Sequence, residues 1–109
     1  MSLLVEAPGV LSLVEDQGRP GLGRLGVSSS GAFDRIAMRQ ANAILGNDPS
    51  AGVIEVLGGG LIVRAERAHV VAVTGGTGPL SVDGDPVSYT HLRAHETVLE
   101  LVCRLLLEK

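Results

Sequence analysis

A chain of 109 residues holds one small domain with a modest core. Its 45% apolar residues include only 2% aromatics, so that core is aliphatic, and fifteen glycines favour turn-rich β structure over a helix bundle. A net charge of −3 argues against nucleic-acid binding, a single cysteine excludes an internal disulfide, and no apolar run is long enough to span a membrane.

In chain order, the start MSLLVEAPG has no basic region and too short an apolar run for a secretory signal, and the cysteine usage suggests a reducing compartment. Leu3 to Val5 is a short apolar run stopped by Pro8-Gly9. Val10 to Val14 (VLSLV) predicts a strand, left through Glu15 to Gly18 and turned at Arg19-Pro20-Gly21. Gly21 to Gly26 spells G-x-G-x-x-G. A dinucleotide fingerprint needs a strand directly before it and a helix opening within it, whereas here Pro20 precedes and the helical pattern begins several residues later. The blander reading is a loop with several positive-φ glycines.

The helix is expected from about Ala32 or Phe33 to Leu45, with Ser30 as N-cap and Asp34 near the positive end of its dipole. Phe33, Ile36, Ala37, Ala41, Ile44 and Leu45 fall on one face, and Gly46 can close the helix in the left-handed conformation before Asn47-Asp48-Pro49. Val53 to Leu57 (VIEVL) reads as a strand carrying one charge, Glu55, either a buried polar group or an outward face. Gly58 to Gly60 is a turn or bulge, Leu61 to Val63 resumes the β pattern, and His69 to Thr74 reads as a buried strand. Leu80 to Val82 followed by Asp83-Gly84 signals a hairpin. The whole is mainly β with one helix, without the alternating β and α units of a parallel doubly wound sheet.

Composition shifts at Val87. Residues 1 to 86 hold six Arg and no Lys, a usage typical of GC-rich coding sequence; Tyr89, Cys103, Lys109 and two of the three histidines lie beyond. Val87 to Thr97 (VSYTHLRAHET) resembles an in-frame translation of a transposase adapter from sequencing libraries. Leu101 to Lys109 (LVCRLLLEK) resembles the translated flow-cell end, with Val98 to Glu100 between them as a variable barcode. Residues 87–109 are therefore expected to be read-through from DNA, and the native hairpin to lose its second strand there. His91, His95 and Glu96 form H-x-x-x-H-E beside Cys103, which could pass for a zinc site; the adapter reading accounts for all four, so no metal site is expected. Val98, Leu99, Leu101, Val102, Leu105 and Leu106 would line one face of a helix.

Chemistry concentrates in Gly18 to Asn47. Arg19, Arg24, Arg35 and Arg39 lie in or after the glycine loop, where guanidinium groups beside a helix start could bind a small anion; Arg35 and Arg39 could equally solvate the outer helix face. Asp16 and Asp34 could act as acid/base groups or orient an arginine, with helix capping the alternative for Asp34. Ser28 to Ser30 do not form a G-x-S-x-G elbow, His69 is expected to be structural, and Gly75 to Gly78 lacks the Gly-Lys-Ser/Thr of a P-loop.

The ordered set GVLSLVEDQGRPG, LGVSSSGAFDRIAMRQANAILGN and VIEVLGGG resembles the N-terminal part of the biotin-dependent carboxyltransferase-domain family. That family includes the C-type subunit of 5-oxoprolinase (KipA-like proteins), allophanate hydrolase subunit 2 and the carboxyltransferase part of urea carboxylase. The resemblance rests on Asp16, Gly18 to Gly21, Gly26, Ser30 to Ala32, Asp34, Ala41-Asn42, Gly46-Asn47, Glu55 and Gly59. Gly23, Ser28-Ser29 and Phe33 depart from the usual Gln, Pro-Val and Met.

The resemblance implies that residues 1–86 are the N-terminal part of a cyclophilin-like β-barrel domain. It implies a small amide or lactam substrate: ATP-dependent opening of 5-oxoproline to glutamate, or carboxyl transfer from carboxybiotin to urea. It implies a cytoplasmic location and B-type (KipI-like) and A-type partner subunits, with regulation of a kinase inhibitor as the non-catalytic alternative. Arg19, Ser30, Asp34 and Asn42 are the candidate substrate-binding residues it marks; no catalytic residue is marked, and the 109-residue chain is expected to be inactive alone.

Overall fold

The computed structural model describes residues 3–76, 78–87, 98–101 and 106–107. The β runs pair antiparallel throughout, with one eleven-residue helix against them. The strands are β1 (Leu3–Pro8), β2 (Leu11–Glu15), β3 (Val53–Leu57), β4 (Leu61–Ala65), β5 (Val71–Ala72), β6 (Leu80–Val82), β7 (Asp85–Val87), β8 (Val98–Leu101) and β9 (Leu106–Leu107); the helix is α1 (Arg35–Leu45). One five-stranded sheet runs in the order β1-β4-β8-β6-β7, and β2-β3 and β5-β9 form separate pairs. The mainly β expectation with one helix holds.

Two aliphatic clusters make the core. Val56, Leu61, Val63, Val71, Val73, Leu80 and Val82 form one; Ala32, Met38, Ala41, Val53 and Ala72, flanked by Leu45, form the other. The segment through β5 joins them by strand alternation, since Val71 and Val73 face the first cluster and Ala72 the second. Strand β3 does the same with Val53 and Val56. Each fully buried valine or leucine contributes about 1.5–3 kcal/mol relative to exposure.

Several expectations change. The helix begins at Arg35, and Asp34 rather than Ser30 caps it: the Ala37 N–H donates to Asp34 Oδ1 at 3.0 Å. Ser30 stands too far upstream, at φ 52°, in a left-handed turn that precedes the helix. The helix buries Ala37, Met38, Ala41 and Asn42, while Phe33, Ile36 and Ile44 are exposed. The buried stripe is therefore rotated toward Met38 and Asn42, because Asn42 is anchored by donating from Nδ2 to the Ala51 carbonyl at 3.1 Å. Gly46 ends the helix at φ 70°, as expected.

The expected His69 to Thr74 strand shortens to Val71–Ala72, although His69 is buried. Asp83-Gly84 does turn a hairpin, and its second strand is present, with Leu80 opposite Val87 and Val82 opposite Asp85. Val98–Leu101 is a strand, not a helix. Its backbone fills the slot between β4 and β6, pairing Leu61 with Leu101 on one side and Leu80 with Leu101 on the other. An unpaired slot of that kind exposes backbone donors and acceptors on two flanks, so ladder formation outweighs helix propensity. His91, His95, Glu96 and Cys103 lie outside the described residues.

Candidate functional site

The site is built where β2 ends. Glu15 leaves the strand and the Asp16 carboxylate accepts the Gly18 N–H at 2.7 Å, an Asx turn that reverses the chain. The reversed segment then lies along Ser28 to Ala32. Ala32 N–H donates to the Asp16 carbonyl at 2.9 Å, Arg19 N–H to the Ser29 carbonyl at 2.6 Å, and Arg19 Nε to the Ser28 carbonyl at 3.1 Å. From the helix, Arg35 Nη2 reaches back to the Ser30 carbonyl at 2.8 Å. From β3, the two oxygens of Glu55 accept the Phe33 and Asp34 N–H groups at 3.2 and 3.1 Å. Four charged side chains thus grip the backbone of two facing loops.

Register brings in a third segment. Glu15 pairs with Val53, which sets Ser50 and Gly52 beside the end of β2. The result is an open cleft of about 470 Å³ lined by Glu15, Asp16, Arg19, Ser30, Gly31 and Ser50, among others. A separate apolar groove of about 320 Å³ is lined by Leu11, Leu13, Phe33, Glu55 and Leu57, among others. Asp48 holds the turn that carries Ser50. Its carboxylate accepts the Ser50 hydroxyl at 2.5 Å and the Ser50 N–H at 2.8 Å, and these bonds hold its carboxyl below the ordinary value.

The cleft offers two carboxylates, one guanidinium, hydroxyls and backbone groups. That mixture suits a small ligand that both donates and accepts hydrogen bonds, more than a bare anion. The four arginines do not converge. Arg19 and Arg35 share one loop but bind its carbonyls, whereas Arg24 sits on a 3₁₀ turn (Gly23–Leu25) and Arg39 on the exposed face of α1. The G-x-G-x-x-G run has no strand before it and no helix opening from it, only that short turn closed by Gly26 at φ 73°.

Of the residues marked from sequence, Arg19 and Ser30 meet in the cleft. Asp34 is the helix cap and Asn42 is buried in α1 against Ala51, so neither lines the cleft. Glu15, Ser50 and Gly52 carry no local signal; only the β2–β3 register gathers them. Glu55 did carry one, as the lone charge in VIEVL. Among the described residues no group of three or more His, Cys, Asp or Glu could hold a metal ion, and no helix is long and apolar enough to cross a membrane.

Comparison with known proteins places this architecture. Residues 25–101 match the carboxyltransferase domain, subdomain A and B. The chain is 38% identical over 74 residues to the 5-oxoprolinase C-type subunit of Haemophilus influenzae, covering 68% of this chain and 24% of that protein. It is 37% identical over 84 residues to urea amidolyase of Saccharomyces cerevisiae, covering 76% of this chain and 5% of that one. The crystal structure of the K. lactis urea amidolyase superposes with a TM-score of 0.85 at 28% identity, over 97% of this chain and 7% of that one. This chain belongs to the carboxyltransferase-domain family that also includes the C-type subunit of 5-oxoprolinase and urea amidolyase. It spans about a quarter of the length of the 5-oxoprolinase protein and a far smaller share of the urea amidolyases.

Proposed function

We propose that the chain is the N-terminal segment of a 5-oxoprolinase-type protein, which takes part in ATP-dependent opening of 5-oxoproline to glutamate. One observation carries this reading: the Arg19–Ser30 cleft presents carboxylate, hydroxyl and guanidinium groups together. A lactam needs an acceptor for its N–H and a donor for its carbonyl, and 5-oxoproline adds a carboxylate. Arg19 has five N–H donors and commits Nε to Ser28, which leaves the rest of its fork for that carboxylate. The identity with the C-type subunit of 5-oxoprolinase supports the same substrate class.

ATP belongs, in this proposal, to the assembly with A-type and B-type (KipI-like) subunits in the cytoplasm. The described residues do not fit a nucleotide: Glu15 and Asp16 stand beside the one arginine of the cleft, and the Gly75 to Gly78 loop has no Gly-Lys-Ser/Thr ending. The second reading, carboxyl transfer from carboxybiotin to urea, is favoured by the fold match to urea amidolyase. Urea is also a small amide that would suit the cleft. That residues 87–109 are adapter-encoded is likewise a proposal only, since the family match itself runs on to residue 101; sequencing the encoding DNA across codon 86 decides that point.

The test uses the full-length polypeptide carrying this segment, purified with its partner subunits. ATP-dependent formation of glutamate from 5-oxoproline is the expected result. Carboxylation of urea dependent on carboxybiotin would replace the first reading with the second, and failure on both substrates would end both.

A further inference from the structure

We infer that Glu55 is a positioning residue for the cleft, acting through the backbone of the loop that carries Ser30 and Gly31. The inference rests on the reading of the Arg19–Ser30 cleft as the substrate site. Ser30 and Gly31, which line the cleft, sit at φ 52° and 86°. A non-glycine residue in the left-handed region is held there only when its surroundings over-determine it.

Upstream, the holding bonds come from Asp16 and Arg19. Downstream, Arg35 and Glu55 supply them. Glu55 is the one of these four residues anchored in a paired strand: it stands in the middle of β3, opposite Leu13 of β2. Its carboxylate bridges two successive N–H groups, Phe33 and Asp34, and Asp34 in turn caps α1. The sheet thus fixes the exit of the loop and the start of the helix with one side chain. Glu55 itself lines the apolar groove and not the polar cleft, so it acts through the loop and touches no ligand there.

Charge-assisted bonds to backbone N–H groups are among the stronger ones, so losing two of them frees the loop to leave its binding geometry for a large share of the time. Substrate affinity then falls with the competent fraction, while chemistry on bound substrate is unchanged. Glu55→Ala is expected to speed hydrogen exchange at the Phe33 and Asp34 amides of the 109-residue chain by about tenfold or more. In the assembled enzyme it is expected to raise KM by about tenfold with kcat within about twofold of wild type. Glu55→Gln keeps one acceptor oxygen and is expected to fall between, and it carries the test should the alanine variant not fold.

Unchanged exchange at both amides overturns the inference, and so does a loss of kcat with KM unchanged, the mark of a merely destabilised protein. If the unmutated enzyme turns over neither 5-oxoproline nor urea, the functional reading has failed; the exchange measurement still decides whether Glu55 holds the loop.

Discussion

Gly18 and Gly31 meet backbone to backbone: a Cβ placed on Gly31 would stand 2.7 Å from the Gly18 nitrogen, and one on Gly18 would stand 2.6 Å from the Ser30 carbonyl oxygen. Both residues have positive φ, 82° and 86°. The contact is the hinge pin of the cleft, since it lets the Asp16 to Arg19 turn lie flat on the Ser28 to Ala32 loop. Gly18→Ala and Gly31→Ala are each expected to lose at least about 2 kcal/mol of stability, strain and collision acting together. Gly21 has φ 86° but open space around it, so Gly21→Ala is expected to cost about 1–2 kcal/mol, from strain alone. Gly23 has neither constraint, and Gly23→Ala is expected to change stability by less than about 0.5 kcal/mol. Urea denaturation of the three classes orders them.

The start of α1 gives a second contrast. Asp34 accepts the Ala37 N–H, whereas the Ser30 side chain is four residues short of the cap. Asp34→Ala is expected to destabilise the chain by about 1 kcal/mol, the usual loss of an N-cap. Ser30→Ala keeps the same backbone demand and is expected to stay within about 0.5 kcal/mol of wild type. Thermal unfolding followed by circular dichroism separates the two; equal losses would return the cap to Ser30.

Much of this fold was legible in the chain because its signals are local. VIEVL became β3 without a residue's difference, Gly46 closes α1, and Asp83-Gly84 turns β6 into β7. The failures have physical causes. Apolar spacing put Phe33 on the core face, yet it is 89% exposed, because the helix starts after it and Asp34 and Glu55 fix the chain there. Asn42, polar and set apart by hydropathy, is 1% exposed: its Nδ2 donates to the Ala51 carbonyl, while its Oδ1 is buried without a hydrogen-bond partner among the described residues. A periodicity argument ranks residues by transfer energy and cannot see the one bond that holds this amide nitrogen inside. The cleft was half legible: Arg19 and Ser30 stood in one recognisable stretch, whereas Glu15 and Ser50 are joined only by the long-range register of β2 on β3.

Arg19 and Arg39 show how position divides residues of one type. Arg19 binds the Ser28 carbonyl and lines the cleft; Arg39 stands exposed on α1. If the proposed 5-oxoprolinase reading holds, Arg19→Ala in the full-length protein is expected to reduce kcat/KM for 5-oxoproline by about tenfold or more, the worth of one charge-assisted contact. Arg39→Ala is expected to leave it within about twofold, as for a surface residue clear of the site. Steady-state kinetics on both variants checks this, and an equal effect of the two would remove Arg19 from the proposed substrate site.

The turn that carries Ser50 gives a pH-dependent readout. Asp48 is held below its ordinary value of 3.8, first by the Ser50 hydroxyl and then by the Ser50 N–H. A carboxyl depressed in the folded state stabilises the fold above the unfolded value, and that contribution is lost as pH falls through the lower folded value. Ser50→Ala removes the larger cause and keeps the backbone bond. The Asp48 midpoint is therefore expected to rise toward 3.8 without reaching it, as followed by carboxyl carbon NMR between about pH 2 and pH 6. Because Asp48 is fully exposed, little change in overall stability is expected to accompany the shift. A midpoint that does not move in the variant would show that the hydroxyl contact does not hold this edge of the cleft in solution.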